Sequence, residues 1–296
     1  MTATVETPSG KTAKDENFPV GSWLLPRSLR PHVAAFYAFA RAADDIADNP
    51  RLTSEDKIAR LDGFAEALSV GTGHPRLYGK ALALRACLAE TGVTARHGLD
   101  LLAAFRQDAV KTRYANWDEL IDYCTLSASP VGRFLLDLHG ESQEGYPASD
   151  ALCNALQILN HLQDCQADHR DMDRVYLPLD WLTAQAGRVE DLQASKANSA
   201  VRAVIDMCLT GTEELLATAA TLPARLRDRS LAMESAVILH LARRLTHRLR
   251  RSDPIAGRVK LSRLDFARCG ITGIFHGLTA GGRLHTATTV GRAATP

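Results

Sequence analysis

The sequence holds no apolar run near the ~18 residues that a membrane-crossing helix needs, so no spanning segment is expected. Net charge is nearly absent, since 35 Lys and Arg face 34 Asp and Glu. That balance disfavours a nucleic-acid binder, whose affinity rests on neutralising phosphates. The six cysteines, at 87, 124, 153, 165, 208 and 269, show no zinc spacing and no CxxC pair. Cys153 and Cys165 on one helix would lie ~18 Å apart, too far to bridge. Reduced, mostly buried thiols are expected. The opening "MTATVETPSGKTAKDEN" lacks the apolar core of a secretory signal. The expected place is cytoplasmic, with peripheral contact at the inner membrane face. The lone "GTG" at 71–73 follows no strand, so no dinucleotide site is expected and no NADPH.

Strand candidates are missing too, because β-branched residues are scattered and alternation is not sustained. What remains is helical periodicity. Helices are expected from Pro31 to about Asp48, from Thr53 to "GTG", and over 75–91, 95–113, 117–139, 148–170, 199–221 and 229–251. Shorter ones are expected near 179–187 and 261–269. With no internal linker, the reading is an all-α fold in one domain over residues 17–278. Residues 1–16 and 279–296 read as disordered tails. Pro130 and Gly132 interrupt "YCTLSASPVGRFLLDLHG", and taken alone this is a packing kink.

Two carboxylate pairs stand out, Asp44 with Asp48 and Asp164 with Asp168. Four-residue spacing puts both carboxylates of a pair on one helix face, suited to Mg²⁺ and its bridging phosphate oxygens. Spacing alone is a weak signal, since Asp118 and Asp122 share it and read as a solvated face. Tyr37 and Arg41 fall in line with the first pair, on a helix otherwise apolar nearly all round. Gln157 and Asn160 fall in line with the second. Two solvent-facing acidic stripes remain the alternative, one that leaves the alignment of Tyr37 and Arg41 to coincidence.

Taken together, "NFPVGSWLLP", "YAFARAADDIAD", "DAVKTRYANWDELIDYCTLSASPVG" and "NALQILNHLQDCQADHRDMDRVYLP", in this order, resemble the squalene/phytoene synthase family. The resemblance covers about residues 17–265. It implies an all-helical isoprenoid synthase fold with a central cavity and several Mg²⁺ ions carrying an isoprenoid diphosphate. Asp44, Asp48, Asp164 and Asp168 would be metal ligands. Arg41, Gln157, Asn160 and Arg174 would bind diphosphate. Tyr37 and Tyr123 would face the reacting cation, with a packing role open for Tyr123. Phe18, Leu126, Ala128, Val131 and Gly132 would line the cavity, so the kink becomes a cavity wall. Phe134 reads as core, and a structural ion pair is the alternative for Arg41, Asp108 and Lys111, strongest for Asp108.

Within the family the chain is most similar to the branch of bacterial hydroxysqualene synthases. That branch implies presqualene diphosphate as substrate, water capture, and no nicotinamide, within squalene and hopanoid biosynthesis. It also implies pathway partners that make presqualene diphosphate and reduce hydroxysqualene. Departures from the wider pattern are Gln163 where Arg is common, one extra residue between Asp168 and Arg174, and Leu241 beside His240 where a tyrosine is expected. A condensing synthase joining two prenyl diphosphates and a non-catalytic lipid-binding or assembly factor are the alternatives. Nine Lys and Arg lie between Arg243 and Arg268. With "GITGIF" beyond them, they read either as a solvated face or as a dock for an anionic bilayer.

Overall fold

Hydrophobic stripes at helical spacing assemble into an all-α structure. The computed structural model describes residues 24–280; Phe18, most of "NFPVGSWLLP" and both expected tails lie essentially outside them. Among the described residues there are twelve α-helices and no strand. They are α1 (Arg30–Ala47), α2 (Ser54–Ser69), α3 (Pro75–Thr91), α4 (Arg96–Asp108), α5 (Trp117–Ser127) and α6 (Ser129–Leu138). Next come α7 (Tyr146–Met172), α8 (Leu179–Ala184), α9 (Ser199–Ala219), α10 (Leu222–Arg225), α11 (Arg229–Arg251) and α12 (Arg263–Ala280).

Polar residues start several helices by accepting an otherwise unsatisfied backbone N–H. Thr53 takes that of Asp56 at 3.2 Å, Asn116 that of Glu119 at 2.9 Å, and Asp228 that of Leu231 at 2.9 Å. One hydrophobic cluster runs from Leu25 to Val259 and draws on most of the helices. The cysteines are free; Cys124, Cys165 and Cys208 are buried in the apolar cluster, and Cys87 is buried beside His32.

Three expected boundaries move. The helix expected over 95–113 ends at Asp108, because the chain beyond it pairs with the segment after α7. Val175 N–H donates to Thr112 O at 2.9 Å and Leu179 N–H to Tyr114 O at 3.1 Å. The helix expected over 117–139 breaks at Ala128 (φ −125°, ψ −45°), two residues before Pro130, which fits inside the first turn of α6. The short helix expected at 261–269 continues to Ala280 through "GITGIF".

Helix α12 starts at a reciprocal cap, with Ser262 and Asp265 each taking the other's backbone N–H. It runs antiparallel to α11 in very close contact. A Cβ on Gly273 would sit 2.5 Å from Val237 Cα, and one on Gly277 would sit 2.5 Å from Met233 Cα. Asp265 lies between Arg244 (2.7 Å) and Arg248 (2.5 Å) and locks the other end.

This close approach generates a prediction. Gly273→Ala forces the two backbones apart and is expected to lower stability by about 1–3 kcal/mol in denaturant unfolding. Gly270→Ala, which meets nothing within 4 Å, is expected to raise it by about 0.5–1 kcal/mol through helix propensity. Equal effects would contradict the packing account.

Candidate active site

A cavity of about 380 Å³ opens at the centre of the bundle, within the range of small-molecule sites. Helical spacing decides who lines it. From α1 come Val33, Phe36, Tyr37, Ala40, Arg41 and Asp44; from α7 come Ser149, Leu152, Cys153, Leu156 and Gln157. Both sets follow the i, i+3, i+4, i+7 pattern of a single face. From α11 come Leu231, Glu234, Ser235 and Ile238, in the same pattern. The walls are mostly apolar, while Arg41, Asp44 and Gln157 bring polar groups to the same lining.

On α1, Arg41 donates to Asp44 Oδ2 at 2.8 Å and lies 5.8 Å from the centre of the Tyr37 ring. The Asp44 side chain keeps a third of its surface exposed. Desolvation by the protein around it, and then the Asp48 charge, still push its carboxyl well above the ordinary carboxylate range. Arg41 opposes that rise only in part. This pair therefore favours a cation beyond the arginine it already has.

Asp48 is held by Arg174, whose Nη1 lies 2.5 Å from Asp48 Oδ1. Nη2 of the same guanidinium donates to Ala47 O (3.2 Å) and Asp108 O (3.0 Å), the last carbonyls of α1 and α4. A positive charge is stabilised at such helix C-termini. Burial opposes the Arg174 charge, but Asp108 and Asp48 outweigh it and hold the guanidinium protonated beyond its usual range. Arg174 is 6% exposed. Expected as a diphosphate donor, Arg174 has its terminal nitrogens engaged in joining helix ends.

Beneath Arg174, Tyr123 donates to Asp108 Oδ2 at 2.9 Å and Tyr176 to Oδ1 at 3.4 Å. Burial lifts the Asp108 carboxyl to about 6, with Arg174 and the Tyr123 hydrogen bond opposing the rise. Tyr176 stacks on His161, with ring centres 3.6 Å apart. Burial, then Arg174, lowers the His161 pKa to about 3, which keeps the ring neutral. Tyr123 thus belongs to both alternatives, since it is buried in this network and lines the cavity. Asp108 is bonded through its carboxylate to the two tyrosines and through its backbone carbonyl to Arg174. Lys111 pairs with Glu119 at 2.6 Å.

On α7, Asp164 is gripped by Arg258 through two contacts, Nε–Oδ1 at 2.7 Å and Nη2–Oδ2 at 2.8 Å. Arg258 was not legible as a site residue, because nothing in "IAGRVK" fixes its partner. Gln163 explains the arrangement. It is buried and donates to Val259 O, which anchors the segment bearing Arg258 beside Asp164. Asn160 and Asp168 are half-buried on the same helix. His240 turns from the cavity toward α12 and packs edge-on against His276 at 5.5 Å.

Val131 and Gly132 line the cavity as expected. Leu126 and Ala128 do not. Leu126 is turned by its helical position from Tyr123 and Ser127 into the core cluster, and Ala128 is the buried break between α5 and α6. Gly132 also lets α6 meet Ser149 and Cys153 of α7, so the packing reading and the cavity reading both hold there. Phe134 stacks on Phe36 with centres 4.0 Å apart and is a core residue that forms cavity wall as well. Glu234, Ser235 and Ser127 were missed, since one polar residue on an amphipathic helix carries no local signal.

No group of three or more His, Cys, Asp or Glu among the described residues is placed to hold a metal by itself. Mg²⁺ does not require one, because it takes one or two carboxylates and completes its shell with water and substrate phosphate oxygens. The oxygen-only donors of the two aspartate pairs, and the unfavourable charge at Asp44, fit such an ion.

The comparisons agree with this architecture. A family model described as squalene/phytoene synthase matches residues 11–265. A hydroxysqualene synthase of Rhodopseudomonas palustris is 47% identical over 90% of this chain and 90% of its own. One from Zymomonas mobilis is 46% identical over 85% and 84%. The crystal structure of squalene synthase HpnC from Alicyclobacillus acidocaldarius matches with a TM-score of 0.71 at 30% identity, covering 81% of this chain and 90% of that one. With the family match spanning most of the chain and relatives matched almost end to end, the chain belongs to the squalene/phytoene synthase family.

Proposed function

We propose that this chain is a hydroxysqualene synthase, with residues 17–278 as its catalytic domain. In the proposed reaction presqualene diphosphate and water give hydroxysqualene and diphosphate. The observation that carries this reading is a largely apolar cavity whose lining includes Arg41, Asp44 and Gln157. It suits one long isoprenoid with one diphosphate. Identities of 46–47% to relatives named for this activity support it.

Asp44, Asp48, Asp164 and Asp168 would hold Mg²⁺. The bound ions would neutralise charge on the departing diphosphate and lower the barrier to C–O cleavage. Arg41, Gln157 and Asn160 orient the diphosphate, with Arg41 already steered by Asp44 and Tyr37. Arg258 steadies Asp164. Tyr37 and Tyr123 present ring faces to the cation left behind, and the bond to Asp108 fixes the Tyr123 ring in place. The apolar walls of Phe36, Phe134 and Leu152 admit little water, so the cation survives long enough to rearrange. Water capture leaves an alcohol and calls for no nicotinamide. The substrate and product define the neighbouring steps, one enzyme that makes presqualene diphosphate and one that reduces hydroxysqualene.

We also propose peripheral contact with an anionic bilayer, by a surface different from the one the sequence suggests. Among the described residues no helix is long and apolar enough to cross a membrane. Of the arginines expected to dock, Arg244, Arg248 and Arg250 are engaged with Asp265, Asp206 and Glu213, which neutralises much of their charge. The outer face of α12 is the better candidate. Leu264, Ile271, Phe275 and Leu278 are 57, 61, 64 and 46% exposed. They fall within an arc of about 60°, opposite the glycines that meet α11. Arg268 stands in the same stripe and Lys260 and Arg263 are exposed beside it, which suits anionic headgroups.

Two experiments test these readings. Purified protein with Mg²⁺ and presqualene diphosphate, without NADPH, is expected to release hydroxysqualene and diphosphate, and Asp44→Asn to lose at least about 100-fold in turnover. Products formed only from farnesyl diphosphate would favour the condensing alternative, and squalene formed only with NADPH would exclude water capture. In sedimentation with phosphatidylglycerol vesicles, binding is expected to fall with salt and to be abolished by Ile271→Asp with Phe275→Asp. A wild-type chain that ignores vesicles but self-associates through this face would contradict the bilayer as its partner.

A further inference from the structure

Ser127 lines the cavity, and its hydroxyl is buried with no hydrogen-bond partner among the described residues. A helical hydroxyl has a simple way to avoid this, by donating to the carbonyl four residues earlier. Thr125 does so to Ile121 O at 2.9 Å, as do Thr212 to Cys208 O at 2.8 Å and Thr246 to Ala242 O at 2.9 Å. Ser127 forgoes that bond. Leaving a buried hydroxyl unpaired is unfavourable, and alanine would remove the cost in nearly the same volume. Such a group is explained where a small ligand completes it.

Its place in the bundle shows what that ligand meets. Helices α5 and α7 run antiparallel here, since the Tyr123 ring centre is 6.1 Å from that of His161 and Ser129 donates to Asn154 at 2.9 Å. One turn on from Tyr123 is Ser127, and one turn back from His161 is Gln157. The two are therefore level with each other, and both line the cavity. Arg41 and Asp44 bring charge to this lining, while Val131 and Leu152 are hydrocarbon wall.

We propose that Ser127 and Gln157 hold the water that captures the rearranged cation, an inference that rests on the function proposed above. The Ser127 oxygen and the Gln157 amide oxygen accept the two hydrogens of one water. Its lone pair is then free for the cation held against the Tyr123 ring. Attack forms the C–O bond and an oxonium. The oxonium passes one proton to the departed diphosphate, the strongest base that the reaction itself supplies, and the alcohol remains. No electrons change hands. The amide N–H of Gln157 stays available to a diphosphate oxygen, so one side chain serves the diphosphate and the water together. A carbocation in an apolar cavity without a held water loses a proton from the adjacent carbon and becomes a polyene.

The test separates ionisation from capture. With presqualene diphosphate and Mg²⁺, diphosphate release by Ser127→Ala is expected to stay within about twofold of wild type. Its ratio of hydroxysqualene to elimination hydrocarbons is expected to fall about three- to tenfold, the scale of one lost neutral hydrogen bond. Ser127→Cys, close in size but a weak hydrogen-bonder, is expected to shift the ratio the same way and carries the test if the alanine variant does not fold. Thermal unfolding of Ser127→Ala is expected no lower than that of wild type, because the hydroxyl has no protein partner to lose. An unchanged product ratio in a folded variant overturns the proposal, and so does a fall in diphosphate release at constant ratio. A clearly lowered melting temperature, or failure of both variants to fold, makes the hydroxyl structural and overturns it as well. Wild-type protein that forms no hydroxysqualene from presqualene diphosphate would instead remove the underlying function, which the wild-type control reveals separately.

Discussion

A single buried guanidinium governs the geometry of this site. Arg174 leaves α7 six residues after Asp168 and reaches Asp48, the carbonyl end of α1 and the carbonyl end of α4. One side chain thereby binds the segment after the second aspartate pair to the end of the helix that carries the first. Removing one partner of such a buried pair typically costs about 3–5 kcal/mol, because the other charge is stranded. The short pairing of residues 112–115 with 175–180 follows from the same junction. So does the tyrosine layer beneath it, where Asp108 has its carbonyl on Arg174 and its carboxylate on Tyr123 and Tyr176.

Two chemical regions meet along α1. On one side lie carboxylates in tension, with Asp44 disfavoured as an anion and Asp164 restrained by Arg258. A site built this way gains from cations and from a ligand that brings its own negative oxygens. On the other side the walls are hydrocarbon and aromatic, set by one face each of α1, α7 and α11. A charged leaving group with a greasy cation behind it needs both regions in contact. Outside this pairing sits α12, which is fixed to α11 by glycines and turns its apolar residues outward.

Much of this was legible in the sequence, for physical reasons that also mark the limits. Helical spacing places Tyr37, Arg41 and Asp44 on one face before any coordinates exist, and the cavity lining contains all three. Gln157 follows by the same rule. The helix start at Thr53 was readable because a cap acts over three residues. Arg174 was visible as a cation near the second pair, but its partners lie 66 to 127 residues away and no local pattern names them. Arg258 and Gln163 share that difficulty, since their link is a tertiary contact. Arginines on α11 looked like a free basic face because the acids that neutralise them stand on α9 and α12. Helix α4 ended early because pairing with the segment after α7 overrode the periodicity.

The central claim is that two aspartate pairs, held together by Arg174, form one metal–diphosphate site. Crystals grown with Mn²⁺ and a non-ionising presqualene diphosphate analogue test it most directly, by anomalous diffraction. The account predicts anomalous peaks bonded to carboxylate oxygens of both pairs, Asp44 or Asp48 on one side and Asp164 or Asp168 on the other, bridged by the same diphosphate. Peaks confined to one pair, or a diphosphate bound away from both, would contradict it.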